Sequence, residues 1–141
     1  MAIVRVDAPS EKLHPYHFFG ARQNEGRLDF RPGDADYDAI VRATAAVPTV
    51  VAVNLDRPAI LTNVRDRARV LLATFGASDA AILDVLTGAA TAKGRLPFEL
   101  PSSMAAVQAQ DPARAEDSLK PLYPFGYRLD RATPRRRVGS R

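Results

Sequence analysis

The sequence predicts an α/β domain with a mainly parallel sheet, on three observations. Two short apolar runs, TVVAVNL at residues 49–55 and VLLATF at residues 70–75, are continuous rather than alternating, as strands covered on both faces require. A helical pattern precedes the first run and another follows the second. Strand, helix and strand in succession argue for parallel strands with helices packed on them.

Taken in order, residues 2–6 alternate weakly and read as a strand that Asp7, Pro9 and Ser10 bring to an end. Residues 11–33 form a long loop rich in His, aromatic and charged residues, with at most a short strand at 28–30. Loops of this length inside a compact domain are uncommon and often functional, so chemistry is sought here first. Asp34 can accept hydrogen bonds from the free N–H groups of a helix start, and Tyr37, Ile40, Val41 and Thr44 or Ala45 then recur at helical spacing until Pro48. Arg57-Pro58 opens a short extended piece through Leu61, and residues 64–69 suit a helical turn. Gly76 stops the run at 70–75. Ser78 caps a helix with Ile82, Leu83, Val85 and Leu86 on its apolar face, and Gly88 can take the left-handed conformation that ends it. Pro97 and Pro101 then bracket an extended edge segment at 98–100. Residues 102–110 suit one or two helical turns with Met104 and Val107 facing inward, residues 111–120 are polar, and residues 122–125 return as apolar anchors.

At 141 residues the chain fits one domain that buries about two thirds of its unfolded-chain surface. Hydrophobic residues make up 46% and charged ones 26%, ordinary for a globular protein, and with no cysteine there is neither disulfide nor thiolate metal site. The pI near 9.8 would suit a nucleic-acid binder, but the charge is unevenly placed. Five of the 20 basic residues lie in residues 131–141, which hold no acid, so the other 130 carry 15 basic against 16 acidic residues. The domain is therefore expected to span 1–130, with 131–141 a basic disordered tail. No aromatic residue interleaves with its arginines to stack bases, and no nucleic-acid partner is expected. No run approaches the ~18 apolar residues of a membrane span, and the amino terminus carries no secretory pattern, which leaves a cytoplasmic address as the default and no membrane partner.

His14 and His17 are three apart, but Pro15 between them opposes a helix that would bring both imidazoles to one metal, and no third ligand accompanies them. The FGASDAAILDVLTG stretch has neither Gly-x-Gly-x-x-Gly nor Gly-x-Ser-x-Gly. Ser78 is a helix cap rather than a nucleophile. No cofactor is expected.

A strand ending in a polar turn, the Arg57-Pro58 pair with its apolar tail, a second strand, a helix closing on Leu86-x-Gly88, the phrase GRLPFELP at 94–101 and YPFGYRL at 123–129 stand in that order. This series resembles the C-terminal α/β domain of glycoside hydrolase family 3, the β-glucosidases and their relatives. Ala92 stands where the family usually has Pro, and Arg128 replaces a Gly. The resemblance implies a three-layer α/β sandwich, incomplete here because family members have more sheet upstream. It also implies that the (β/α) barrel carrying the nucleophilic Asp and most of the sugar pocket lies outside this chain, which reads as a fragment.

Hydrolysis with retention needs two carboxyl groups about 5 Å apart, one attacking the sugar and one protonating the leaving oxygen. In the family the second often sits on a loop of this domain. The resemblance assigns that role to Glu25, in the Glu25-Gly26 stretch, while an alignment anchored on the preceding strand chooses Glu11. Arg22, Gln23 and Asn24 can hydrogen-bond sugar hydroxyls and His17, Phe18 and Phe19 can line a sugar-stacking wall, with packing of the loop the alternative for each of the six. Without the barrel, Glu25 is expected to behave as an ordinary exposed carboxyl. The expected partner is a β-linked glycoside, met together with a missing or separate barrel; a non-catalytic module that binds sugar or docks onto a barrel is the alternative.

Overall fold

A computed structural model describes residues 1–19 and 24–128. Strand β1 (Ala2–Asp7), helix α1 (Ala35–Ala46), strand β2 (Thr49–Asn54), the short helix α2 (Thr62–Arg65), strand β3 (Val70–Thr74), helix α3 (Asp79–Thr87) and the short helix α4 (Met104–Gln108) follow in that order. The basic segment 131–141 lies outside the described residues.

The three strands are parallel, in the order β1-β2-β3, with Val4 beside Val51 and Val51 beside Leu71. The sheet is open, with β2 in the middle, and forms part of an α/β sandwich. Side chains alternate across a strand, so Val4, Val6, Val51, Val53 and Leu71 share one face. There they join Tyr37 and Ile40 of α1, together with Phe30, Leu55, Leu61 and Val64, in the main core. Ile3, Arg5, Val50, Ala52 and Val70 share the other face. From it Arg5 reaches the head of α3, donating to Asp79 Oδ1 at 2.5 Å and to the Ala77 carbonyl at 2.7 Å. The helix contributes the buried Ile82.

Local chemistry sets the ends of α3. Ser78 Oγ accepts from the Ala81 amide at 3.3 Å, and Gly88 closes the helix at φ 86°, a left-handed value open to a residue without a Cβ. The apolar face expected of this helix is only partly covered, because Val85 and Leu86 are half-buried and Leu83 is exposed.

Two more expectations change. The run at 70–75 reads as a strand covered on both faces, yet β3 is an edge strand: Val70 is 38% exposed and Thr74 is its one buried residue. An apolar run reports what a strand is suited to, whereas exposure depends on what lies beside it. Asp34 does hold the position before α1, but its carboxylate makes no capping bond there. It accepts instead from Arg27 and from the Arg31 amide.

Residues 94–101 and 122–127 pair with each other in antiparallel fashion. The Leu96 amide donates to the Tyr127 carbonyl at 3.0 Å and the Gly126 amide to Leu96 at 2.9 Å; Leu100 donates to Tyr123 at 2.9 Å and Leu122 to Leu100 at 2.8 Å. Leu96 and Leu100 thereby enter the core, with Phe98, Leu122 and Tyr123 packed against it, whereas Phe125 stays exposed. On α4, Met104 and Val107 are half-buried behind a Ser103 cap.

Leu100 is 1% exposed and Leu83 48%. Leu100→Ala should cost about 2–5 kcal/mol in urea unfolding, from lost burial plus the cavity left behind, and Leu83→Ala less than about 1 kcal/mol.

Candidate functional site

Ligand sites of open α/β sheets lie outside the carboxyl ends of the strands. Here those ends are held together by one side chain. Asn54 Nδ2 donates to Asp7 Oδ1 at 3.1 Å, and Asn54 Oδ1 accepts from the Gly76 amide at 2.9 Å. The end of β1 opens into the long loop rich in charged and aromatic residues, and the end of β2 into Asp56-Arg57.

The loop folds back on itself. The Glu11 amide donates to the Glu25 carbonyl at 2.9 Å, an antiparallel bridge that sets the two candidate glutamates opposite each other. The Glu11 carboxylate accepts from the Arg27 amide at 2.9 Å, with Arg27 Nε at 3.6 Å. That path passes against Gly26, where a Cβ would lie 2.0 Å from Glu11 Oε2, and φ is +75°. Only glycine fits there without displacing Glu11.

Glu25 is not an ordinary exposed carboxyl, contrary to the expectation. Its Oε1 accepts from the His14 amide at 2.9 Å, its Oε2 lies 2.7 Å from His14 Nδ1, and the side chain is 13% exposed against 39% for Glu11. The His14 side-chain hydrogen bond holds the Glu25 carboxyl below the usual glutamate range, outweighing the opposite push of burial. The His14 ring stacks on His17 with centroids 4.8 Å apart.

Charge continues down the loop. Arg27 donates to both oxygens of Asp34, at 2.8 and 2.5 Å, and to the Asp29 carbonyl at 2.7 Å, while Arg31 Nε reaches Asp29 at 2.9 Å. This pairing lowers the Asp34 carboxyl and raises the Arg27 guanidinium.

Arg57 and Asp56 close the arrangement from β2. Arg57 donates to the carbonyls of Glu25, at 2.9 Å, and Gly26, at 3.0 Å, and Asp56 accepts from the Asn24 side-chain amide. In the sequence Arg57 stood out only as half of an Arg-Pro pair. Its contact spans 31 and 32 residues, and no local pattern encodes that.

Of the other candidates, Asn24 is taken up by Asp56, and Arg22 and Gln23 lie outside the described residues. Phe18, 94% exposed, meets Phe19 edge to face at 4.8 Å, so both project rather than packing the loop. Among the described residues no group of three His, Asp or Glu is arranged to hold a metal ion, and no helix is long and apolar enough to cross a membrane.

A parallel α/β domain with a charged, glutamate-bearing loop at its strand ends defines the class. Residues 3–131 match the model of the glycosyl hydrolase family 3 C-terminal domain, and the chain belongs to that family. It is 53% identical over 129 residues to a periplasmic beta-glucosidase/beta-xylosidase of Dickeya chrysanthemi, 37% over 133 residues to a probable beta-glucosidase C of Aspergillus oryzae, and 35% over 129 residues to the beta-glucosidase C of Emericella nidulans. These matches cover 92–94% of this chain and 20% of each relative, so the chain spans about a fifth of their length. One relative is periplasmic by name, and a cytoplasmic address does not follow for this chain.

Two outcomes are expected at the site. Because the folded-state pKa of Glu25 is depressed, the pair stabilises the fold above the ordinary glutamate pKa, and this contribution is lost as pH falls through the lowered value. In a carboxyl NMR titration His14→Ala should move Glu25 up toward the ordinary range; an unmoved titration would show that His14 is not the cause. Gly26→Ala should destabilise the domain by about 1–2 kcal/mol from its backbone alone and release the Glu11 carboxylate from the Arg27 amide.

Proposed function

We propose that the chain works as the C-terminal domain of a β-glucosidase-type glycoside hydrolase, a retaining enzyme whose nucleophilic Asp belongs to a separate barrel. Residues 1–130 form the domain in this reading, and 131–141 are an appended basic segment. The observation that carries it is the Glu11–Glu25 bridge at the carboxyl end of β1, in a chain of this family. A β-linked glycoside would lie between this loop and the barrel, and the exposed Tyr16, Phe18 and Phe19 offer the apolar surface that such a partner would cover.

Glu25 is the acid/base of this proposal. A general acid needs a raised pKa, obtained by burial or a neighbouring carboxylate. Glu25 has the reverse while His14 holds it, so its role requires that contact to be exchanged for the barrel's groups. A specific observation favours Glu11 as a second reading: it follows β1 more closely, has no histidine on its carboxylate and is the more open of the two.

The chain by itself should give no useful turnover of an aryl β-glucoside, since nucleophile and acid must be held together in one site. Grafted into the Dickeya chrysanthemi relative in place of the matched segment, it should support hydrolysis. There Glu25→Gln should lower kcat on a glucoside with a poor leaving group by about 10²–10⁴-fold. A loss confined to Glu11→Gln would transfer the role to Glu11, and normal rates in both variants would sink the reading.

A further inference from the structure

From the way the end of β2 grips the loop, we infer that Arg57 is the positioning residue of the acid/base loop, a clamp that fixes Glu11 and Glu25 through their backbone without touching either carboxylate. The inference rests on the reading above and deepens it.

The Glu25 carbonyl oxygen is the pivot. It accepts from the Glu11 amide at 2.9 Å and from Arg57 at 2.9 Å, so one atom carries both the bridge that sets the glutamates opposite each other and the tie to the sheet. The second arm of the guanidinium takes the next carbonyl, that of Gly26, at 3.0 Å. Gly26 is the residue against which the Glu11 carboxylate passes. Asp56 holds the Asn24 side chain. Two adjacent residues of β2's exit thus hold three consecutive residues of the loop.

A planar fork is suited to this task. Its donors are fixed relative to each other, so binding two successive carbonyls sets the direction of the backbone as well as its distance, which a lysine ammonium cannot do. The base of the clamp is rigid. Pro58 follows Arg57 and restricts its backbone, Leu55 and Ala59 on either side are buried, and the Leu55 amide donates to the Thr74 carbonyl at 2.8 Å. Farther along, the Ile60 amide ties the loop at the Leu28 carbonyl at 2.9 Å and Asn63 Nδ2 at the Phe30 carbonyl at 2.8 Å. Residues 12–19, in contrast, are exposed, with Leu13, Tyr16, Phe18 and Phe19 among them, so the glutamate end of the loop meets the sheet through Asp56 and Arg57. A carboxylate that must reach a sugar oxygen to within a fraction of an ångström needs such support from the scaffold.

The test uses the 141-residue chain first. Arg57→Met keeps the length of the stem and removes the fork. Amide hydrogen exchange at Glu11 should then accelerate at least about tenfold, as expected for losing charge-assisted bonds, while amides of β2 such as Val51 and Val53 keep their protection. Arg57→Lys should recover only part of the loss. Exchange at Glu11 within twofold of wild type would overturn the inference, as would equal loosening of β2, which would make Arg57 a general stabiliser. In the chimeric enzyme Arg57→Met should lower kcat at least about tenfold with less change in KM. Unchanged kcat beside a damaging Glu25→Gln or Glu11→Gln would overturn the inference while leaving the functional reading standing. Normal rates in both glutamate variants would instead remove the functional reading, and the positioning role with it.

Discussion

Everything in this domain depends on β2 being covered on both faces and both edges. Val50, Val51, Ala52 and Val53 are all essentially without exposure, and a strand so apolar can be satisfied only inside a sheet with a layer on each side. β1 and β3 supply the edges, α1 with Tyr37 and Ile40 covers one face, and Arg5 on the other bonds the head of α3. Parallel pairing brings the three carboxyl ends to one side, where Asn54 ties them together. The site lies there because the core forces the strands to end there.

The loop over those ends is held by a different kind of force. It buries little apolar surface beyond Phe30, so polar contacts do the work: the ion pairs of Glu11 with Arg27, Arg27 with Asp34 and Arg31 with Asp29, the hydrogen bonds of His14 to Glu25, and the backbone ties from Arg57, Ile60 and Asn63. Ion pairs near the surface are each worth about 0–1 kcal/mol, and the two-pronged Arg27–Asp34 pair, only a fifth to a quarter exposed, is the strongest placed of them. A loop held this way can be rearranged at small cost. Under the proposed function that suits a segment whose carboxylate would exchange a histidine for another partner, and it gives the backbone tie from Arg57 its importance, because that tie uses carbonyls and neither carboxylate.

What could be read from the sequence follows the range of the interactions. The strand at 2–6, the helix beginning after Asp34, the strand at 49–55, the Ser78 cap and the left-handed Gly88 each depend on neighbours within a few residues, and each lies where the pattern indicates. The helical turn expected at 64–69 lies slightly earlier, at Thr62–Arg65. Contacts that join distant segments left no such trace. The pairing of GRLPFELP with residues 122–127 was invisible although both phrases stood out. The capture of Glu25 by His14 was unreadable too, since nothing local distinguishes a held carboxylate from a solvated one. Asp34 shows the limit from the other side. Its position before a helix was legible, but Arg27, seven residues away, offered a charged partner stronger than the neutral amides of the helix start.

The strand β3 carries this furthest. Its sequence is that of an interior strand, yet it forms an edge. Register places Ile3, Val50 and Val70 in one row across the sheet, buried at the centre and open at both ends. Helix α3 repeats the pattern, with Ile82 covered and Leu83 open on a surface suited by sequence to burial. Scattered apolar side chains need no explanation, but Ile3 and Val70 stand in one register row on one face of the sheet. Under the proposed function the same cause accounts for the open row, the projecting aromatics of the loop and a Glu25 whose pKa is held low by His14 where an acid needs it raised. In that reading each is a surface or a group that contacts with a barrel would complete.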